Sequence, residues 1–491
     1  MKIRIHKLLC FPALIASLSL MLTGHATAQI FTTLYSFGTN FNQGHNPNGL
    51  ILSGNTLYGT TFDGGNPGGF GSRGFGTVFK ISTDGSDFTN LYSFTYNNDG
   101  ASPVGNLVLS GNTLYGAASD GGTYPDYGTL FAINTDGSDH ANLHFFNPGY
   151  GSAVDGGGPV AGLILSDNTL YGMTPYGGID SNGGIVFKIN TDGSSYTNYL
   201  HVFSSIAQNS SGFYTNSDGA QPQGALILSG NTLYGTTYIG GSSGNGTIFS
   251  VHTDGTGFTN LYTFSATSGP SGTNSDGANP SAGLLLSGNA LYGTAEDGGS
   301  LGYGTVFKIN TDGTDFATLH SFTNGDYADL NDGAYPASSL VISGNTLYGT
   351  TAQYRGSNLD ALGTVFAVNT DGTGFTTLHN FESGNQSDGF SPQANLILSG
   401  ITLYGTAAGG GNAGYGTIFS LSLVPSLSIT TVGNQAVLSW PTWAPNFVLQ
   451  TTTNLASPAW TGVSPAPVVF NGQNVVTNSI SGAQQFYQLS H

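Results

Sequence analysis

Leu50-Ile51-Leu52-Ser53-Gly54-Asn55-Thr56-Leu57-Tyr58-Gly59-Thr60-Thr61 decides the architecture, because close copies of it return six more times along the 491-residue chain. The Leu-Tyr-Gly tyrosines stand at Tyr58, Tyr115, Tyr171, Tyr234, Tyr292, Tyr348 and Tyr404, spaced 57, 56, 63, 58, 56 and 56 residues apart. An apolar run and a Ser-Gly-Asn-type turn precede each one. A glycine-rich stretch follows, then a Gly-Thr-Val-Phe-type segment ending at Phe79, Phe131, Phe187, Phe249, Phe307, Phe366 or Phe419. Six copies then carry a Thr-Asp-Gly turn, with Asp84, Asp136, Asp192, Asp254, Asp312 and Asp371, and a closing segment of the Leu-Tyr-Ser-Phe or Leu-His-Ser-Phe type.

Short runs of Val, Ile, Tyr, Phe and Thr between Asp-Gly and Gly-Asn turns describe antiparallel strands joined as a meander. Call them A (apolar run), B (Leu-Tyr-Gly), C (Gly-Thr-Val-Phe) and D (Leu-x-x-Phe). No segment carries a helical period. A four-stranded sheet cannot bury both faces until neighbours stack on it, and a fixed long period marks a repeat array. The expected fold is all-β: a seven-bladed β-propeller of seven repeats of roughly 57 residues over 29–423, with a small β-sandwich over 424–491.

The termini sharpen this expectation. The seventh repeat stops at Phe419-Ser420-Leu421 with no fourth strand, whereas Phe31-Thr32-Thr33-Leu34-Tyr35-Ser36-Phe37 matches Phe88-Thr89-Asn90-Leu91-Tyr92-Ser93-Phe94. Pairing the first segment with the last strand C would close the ring and leave fewer unpaired edges.

Residues 1–28 read as a signal peptide: Lys2, Arg4 and Lys7 precede an apolar run from Leu8 to Leu22, and Ala26-Thr27-Ala28 supplies the cleavage motif. Cleavage would remove Cys10, the one cysteine, and leave five basic residues (Arg73, Lys80, Lys188, Lys308, Arg355) against 26 acidic ones, a net charge of −21. The expected location is secreted or cell-surface, with no transmembrane segment after cleavage. Such a surface repels phosphate backbones and anionic lipids, which excludes nucleic acid as a partner.

The units resemble the GloVer tandem repeats of exported bacterial proteins that carry varied C-terminal attachment segments. The resemblance spans about residues 31–423 and rests on Leu57 to Thr61, Gly76-Thr77-Val78-Phe79-Lys80-Ile81 and Thr311-Asp312-Gly313-Thr314. It implies export and a repeat fold, and no activity or site residue. Here the C-terminus lacks a hydrophobic helix followed by basic residues. Residues 424–491 instead contain no Asp, Glu, Lys or Arg and hold all three tryptophans. Their alternating runs, such as Ala436 to Trp440 and Phe486 to Leu489, read as an immunoglobulin- or fibronectin-like sandwich. Trp440 is expected in its core, and Trp443, near Pro441 and Pro445, at the surface.

In a meander, the A–B and C–D turns share one face and the B–C and D–A connections the other. The first set is uniform and the second varied, so the varied face is where a ligand is expected. Its candidate binding residues are Tyr354, Arg355, Asp360, Tyr303, Tyr238, Tyr176, Tyr127 and Arg73. Aromatic and carboxylate groups of this kind suit polyhydroxylated ligands, and the alternative is ordinary solvated loops. An Asp-Gly-x-x-Pro element also recurs there, with Asp99, Asp155, Asp218, Asp276, Asp332 and Asp388, and Gln43 in the first repeat. Six carboxylates could hold Ca²⁺, or each could simply form its turn. No other cofactor is expected.

His144, His201, His320 and His379 take equivalent strand-D positions, so they are expected to pack rather than to gather round a metal. No nucleophile elbow, zinc or phosphate-loop motif occurs. The expected function is therefore non-catalytic extracellular binding or adhesion by a monomer, with a polysaccharide or surface protein as partner. The alternatives are a carbohydrate-active enzyme, a glycoside hydrolase or lyase using the varied face, and a structural envelope component.

Overall fold

In the computed structural model, described residues are 30–490 apart from 66–73, 123–125, 148–154, 179–182, 211, 270, 324–331, 353–360, 383–386, 426, 434, 444–446, 456–457, 471–472 and 480–484. Residues 1–28, where a signal peptide is expected, and the candidates Arg73, Tyr354, Arg355 and Asp360 fall outside them. The chain is all-β, with a single three-residue 3-10 turn at Phe41–Gln43 among the described residues.

Each repeat forms one four-stranded antiparallel sheet in the order A-B-C-D. In the first these are His45–Ser53, Thr56–Asp63, Thr77–Ser82 and Thr89–Ser93. The local reason is the same every time. Strand B alternates a buried Leu with a glycine, and a Cβ on Gly59 or its six equivalents would lie 2.4–2.7 Å from the strand-C phenylalanine ring tip. Glycine is there because the phenylalanine crosses above it. All seven of these phenylalanines are fully buried, each contributing roughly 1.5–3 kcal/mol by removal from water.

The seventh sheet is closed from both ends of the chain. Phe31–Ser36 lies antiparallel to Thr417–Ser422, with Phe31 opposite Leu421 and Ser36 opposite Thr417, so the sheet contains strand D from the beginning of the chain and strands A to C from its end. The last and first repeats also meet directly. The Thr406 hydroxyl donates to the Asn48 carbonyl at 2.9 Å, and the Asn46 N–H to the Tyr415 carbonyl at 3.0 Å.

Cores lie between sheets rather than within them. One buried cluster joins Tyr58 and Val78 of the first repeat to Leu114 and Phe131 of the second; another joins Phe37, Leu50 and Phe79 to Ile418 of the seventh. Around the outside, a strand-D ring of one repeat stacks flat on an aromatic ring of the next at all seven junctions. The pairs are Tyr35/Phe88, Tyr92/His140, His144/Tyr196, His201/Phe258, Tyr262/Phe316, His320/Phe375 and His379/Phe31, with centroids 3.5–4.1 Å apart. Phe31 thus completes the circuit of stacks as well as the last sheet.

Beyond the repeats, a four-stranded sheet (Ser428–Val432, Gln435–Pro441, Gln473–Ser479, Val468–Phe470) and a three-stranded one (Thr461–Gly462, Val448–Thr452, Phe486–Ser490) share a core of Leu438, Trp440, Val476, Leu449 and Leu489. Trp440 is buried, as its strand pattern implied. The expectation for Trp443 is corrected. It is 9% exposed and packs with Tyr348, Leu378 and Phe419 of repeats six and seven. The Tyr348 hydroxyl donates to the Trp443 carbonyl, and Thr346 Oγ1 to the Thr442 carbonyl at 3.5 Å. The neighbouring prolines do not expose the tryptophan, because a second body covers it.

Candidate ligand-binding site

The varied face is built on the D–A connections, and their aspartates hold them in place. Asp99 accepts hydrogen bonds from the Tyr92 hydroxyl at 2.9 Å, the Thr95 N–H at 2.9 Å and the Thr95 hydroxyl at 2.8 Å. Asp276 takes the Tyr262 hydroxyl at 2.8 Å, the Ser265 N–H at 2.8 Å and the Ser265 hydroxyl. Where strand D carries histidine, the ring replaces the phenol: His144–Asp155 at 3.3 Å, His201–Asp218 at 3.0 Å, His320–Asp332 at 3.1 Å and His379–Asp388 at 3.0 Å. Asp155 also accepts from the Tyr196 hydroxyl at 2.7 Å. The backbone carbonyls of Asp99, Asp218, Asp276 and Asp388 accept from strand-C threonines of the following sheet.

Each carboxylate therefore holds the end of one sheet, and Asp99, Asp218, Asp276 and Asp388 through their carbonyls, with Asp155 through its carboxylate, reach on to the next. Burial opposes ionisation of Asp218, but its hydrogen bonds from His201 and Ser204 prevail and hold the carboxyl below the usual range. Desolvation, with the Asp99 hydrogen bond and charge behind it, pushes the Tyr92 phenol up, so that it stays a donor. The six aspartates serve separate junctions. Among the described residues no three His, Cys, Asp or Glu side chains stand close enough to share a metal ion. The four strand-D histidines lie in the stacks, as their equivalent positions suggested.

Of the candidate tyrosines, Tyr176 is 49% exposed on a two-residue strand paired with Gly156–Gly157. Tyr127, Tyr238 and Tyr303 are half-buried. Their carbonyls accept from the Gly158 N–H, the Asn279 amide and the Tyr335 N–H of the following repeat, so all three also serve as struts between repeats.

Inside the ring of loops, the seven A strands surround a cavity of about 430 Å³. Toward the varied face it opens into a second space of about 410 Å³, bounded by Val160, Gln223, Ser281, Glu296, Tyr335 and Gln393 with two alanines. The rim is held by an unusual backbone feature. The residue before each strand-A proline is left-handed, with φ between 53° and 58° at Asn46, Ser102, Gly158, Gln221, Asn279, Tyr335 and Ser391. Only one of the seven is glycine, the residue that favours this conformation. Each compensates by donating its N–H to a carbonyl of the preceding repeat at 2.7–3.0 Å. At the opposite face, Asp371, Thr373, Trp443 and Gln473 border a cavity where the C-terminal sheets meet the turns of repeat six.

A model of the Gloeobacter/Verrucomicrobia repeat matches residues 22–215 and 270–436. The chain belongs to this family. None of the curated proteins compared with the chain matches it. Among solved structures it is similar to a GH74 xyloglucanase from Xanthomonas campestris, at 12% identity over 84% of this chain and 59% of that one, with a TM-score of 0.49. It is also similar to an oligogalacturonate lyase in complex with manganese, at 10% identity over 82% and 94%, TM-score 0.46. A third likeness is to a puromycin hydrolase, at 12% identity over 84% and 62%, TM-score 0.44. None of the three lends this chain an activity.

Within these Gloeobacter/Verrucomicrobia repeats, the residues at the cavity mouth escaped the reading by motif. The signal was there in a different form. The residue after the strand-A proline runs Asn48, Val104, Val160, Gln223, Ser281, Ala337 and Gln393 while the proline itself never changes. In repeats three to seven this position beside an invariant proline lines the cavity mouth, where packing does not dictate the side chain. No helix among the described residues is long and apolar enough to cross a membrane.

Proposed function

We propose that the repeats form a seven-bladed β-propeller over residues 29–423 with a small β-sandwich over 424–491, exported through cleavage after residue 28. The mature chain acts as a monomeric, non-catalytic binding or adhesion protein, secreted or at the cell surface, and its ligand is a glycan. The observation that carries this reading is the asymmetry of the two faces. The turn face is uniform and is partly covered at repeat six by Trp443 and its neighbours, whereas the varied face surrounds a cavity mouth with polar walls. The proposed ligand contacts on that face are Tyr176, Tyr127, Tyr238, Tyr303, Arg73, Tyr354, Arg355 and Asp360.

A hydrolytic reading would need two carboxyl groups facing one bond, about 5–9.5 Å apart. At the mouth, Glu296 is the one carboxylate among the described lining residues, and the six strand-end aspartates are committed to junctions. The test is a glycan array probed with the mature chain, alongside a reducing-sugar release assay on any glycan bound. Binding without product is expected. Product would overturn the non-catalytic reading, and the absence of any bound glycan would overturn the choice of ligand.

A further inference from the structure

Among the described residues three tyrosines are exposed, Tyr176, Tyr199 and Tyr214, and all three belong to repeat three or to the connection that leaves it. Repeats that pack alike give no structural reason for one of them to carry this surface. Tyr199 stands on the outermost strand, Thr197–Val202. The other two stand on the varied face: Tyr176 in the B–C connection, and Tyr214 in a hairpin added to the D–A connection, where Tyr214–Thr215 pairs with Ala207–Gln208.

Tyr176 is held in place by its neighbours. It lies opposite Gly157, and its carbonyl accepts from the Thr174 hydroxyl at 2.7 Å. Its ring packs on Gly158, the one glycine among the seven left-handed rim residues. A Cβ on Gly158 would lie 3.3 Å from Tyr176 Cδ2 and 3.5 Å from Cε2. In repeat one the same two positions carry Asn46 and Asp63, joined by a hydrogen bond of 2.7 Å. Repeat three thus has a bare glycine and an aromatic ring in place of a polar pair, and the tyrosine stays half exposed. Two residues beyond Gly158, the exposed Val160 carries apolar surface on to the cavity mouth.

We propose that Tyr176 is the stacking platform for one pyranose ring of a β-linked glycan, an assignment that rests on the varied face being the glycan-binding one. A half-open phenol ring offers the C–H face of a sugar a flat apolar surface. With its backbone pinned and part of the ring seated on Gly158, the side chain loses little rotamer freedom when the sugar arrives. The class follows from shape. A β-linked glucose or xylose residue has all its ring substituents equatorial, so C–H bonds alone cover its two faces, whereas an α linkage places an axial oxygen on the ring. Gly158 is the positioning residue, because a side chain there would push the platform aside.

The experiment measures binding of cellohexaose, xylohexaose and laminarihexaose to the full mature chain by isothermal titration, with α-linked maltohexaose as the axial probe. It compares the wild type with Tyr176→Ala, Tyr176→Phe, Gly158→Asn, Tyr214→Ala and Tyr199→Ala. At least one β-linked hexasaccharide is expected to bind, and maltohexaose more weakly. Tyr176→Ala should lose about tenfold in affinity, and Tyr176→Phe, which keeps the ring, should lose little. Gly158→Asn should lose about fivefold with its melting point unchanged, because Asn46 and Asn279 adopt the same backbone at φ 55° and 58°. Tyr199→Ala should bind as the wild type does. Melting curves identify any variant that fails to fold, and Tyr176→Ala against Tyr176→Phe then carries the test. Wild-type affinity in Tyr176→Ala would overturn the platform: loss in Tyr214→Ala instead would leave the varied-face reading standing, and loss in Tyr199→Ala instead would remove that reading too. Tighter binding of maltohexaose would overturn the β-linked class, and no binding to any probe would overturn both the platform and the glycan reading.

Discussion

His140 is the one histidine on the turn side of the seven junction stacks, where the other repeats place Phe31, Phe88, Phe258, Phe316, Phe375 or Tyr196. It lies 4.1 Å from the Tyr92 ring with the two planes 1° apart, and its Nε2 is buried without a partner. Phenylalanine fits the same slot, as Phe88 does against Tyr35 at 4.0 Å and Phe316 against Tyr262 at 3.9 Å. Replacing His140 by Phe removes one unsatisfied buried polar atom, whose burial costs on the order of 1–3 kcal/mol. His140→Phe should therefore stabilise the protein by about 1–2 kcal/mol at pH 7.5.

The gain should grow in mild acid. Burial lowers the His140 pKa, against a weaker upward pull from Asp99. With the folded value below the unfolded one of about 6.5, the unfolded chain takes up the proton first as pH falls. The stability associated with neutral His140 is whole above about pH 6.5 and is lost as pH drops through the folded value. Guanidinium unfolding of both proteins at pH 7.5, 6.5 and 5.5 measures this, and the other histidines cancel in the difference. A variant less stable at pH 7.5, or a difference that does not widen towards pH 5.5, would refute the account of this junction.

Deleting residues 29–37 should cost more than Phe37→Ala, itself about 3–5 kcal/mol for a fully buried ring, because the last sheet loses a strand and the junctions lose the Phe31 and Tyr35 stacks. A melting point within a degree of the intact mature chain would exclude closure by that strand. Gly313→Ala should cost about 1–3 kcal/mol, since φ is +85° and a Cβ would lie 2.9 Å from the Leu261 carbonyl oxygen; thermal melts check this, and no loss would mean that the turn relaxes freely. If the junction aspartates act as fasteners and not as metal ligands, Asp276→Asn should lower the melting point while 5 mM Ca²⁺ or EDTA leaves the wild type unmoved. A calcium-dependent rise that Asp276→Asn abolishes would reverse that assignment.

The chain wrote its repeat count, the identity of all four strands and the closing role of Phe31–Phe37 in local terms, because turn chemistry and two-residue alternation act over a few residues. The period then did the rest, since seven identical problems of an uncovered sheet have one shared solution. What the tertiary structure decided were meetings between side chains far apart in sequence. His144 finds Tyr196, and Phe31 finds His379, only when sheets stand side by side. An Asp-Gly pair reads alike whether it binds metal or ends a strand, and only the tertiary structure puts a strand-D phenol or imidazole beside each carboxylate. Trp443 looks like a surface residue among prolines until a second body covers it. The wall formed by Gln223, Ser281 and Gln393 exists only where the connections leading into three innermost strands, each a repeat or two away from the next, converge on one cavity.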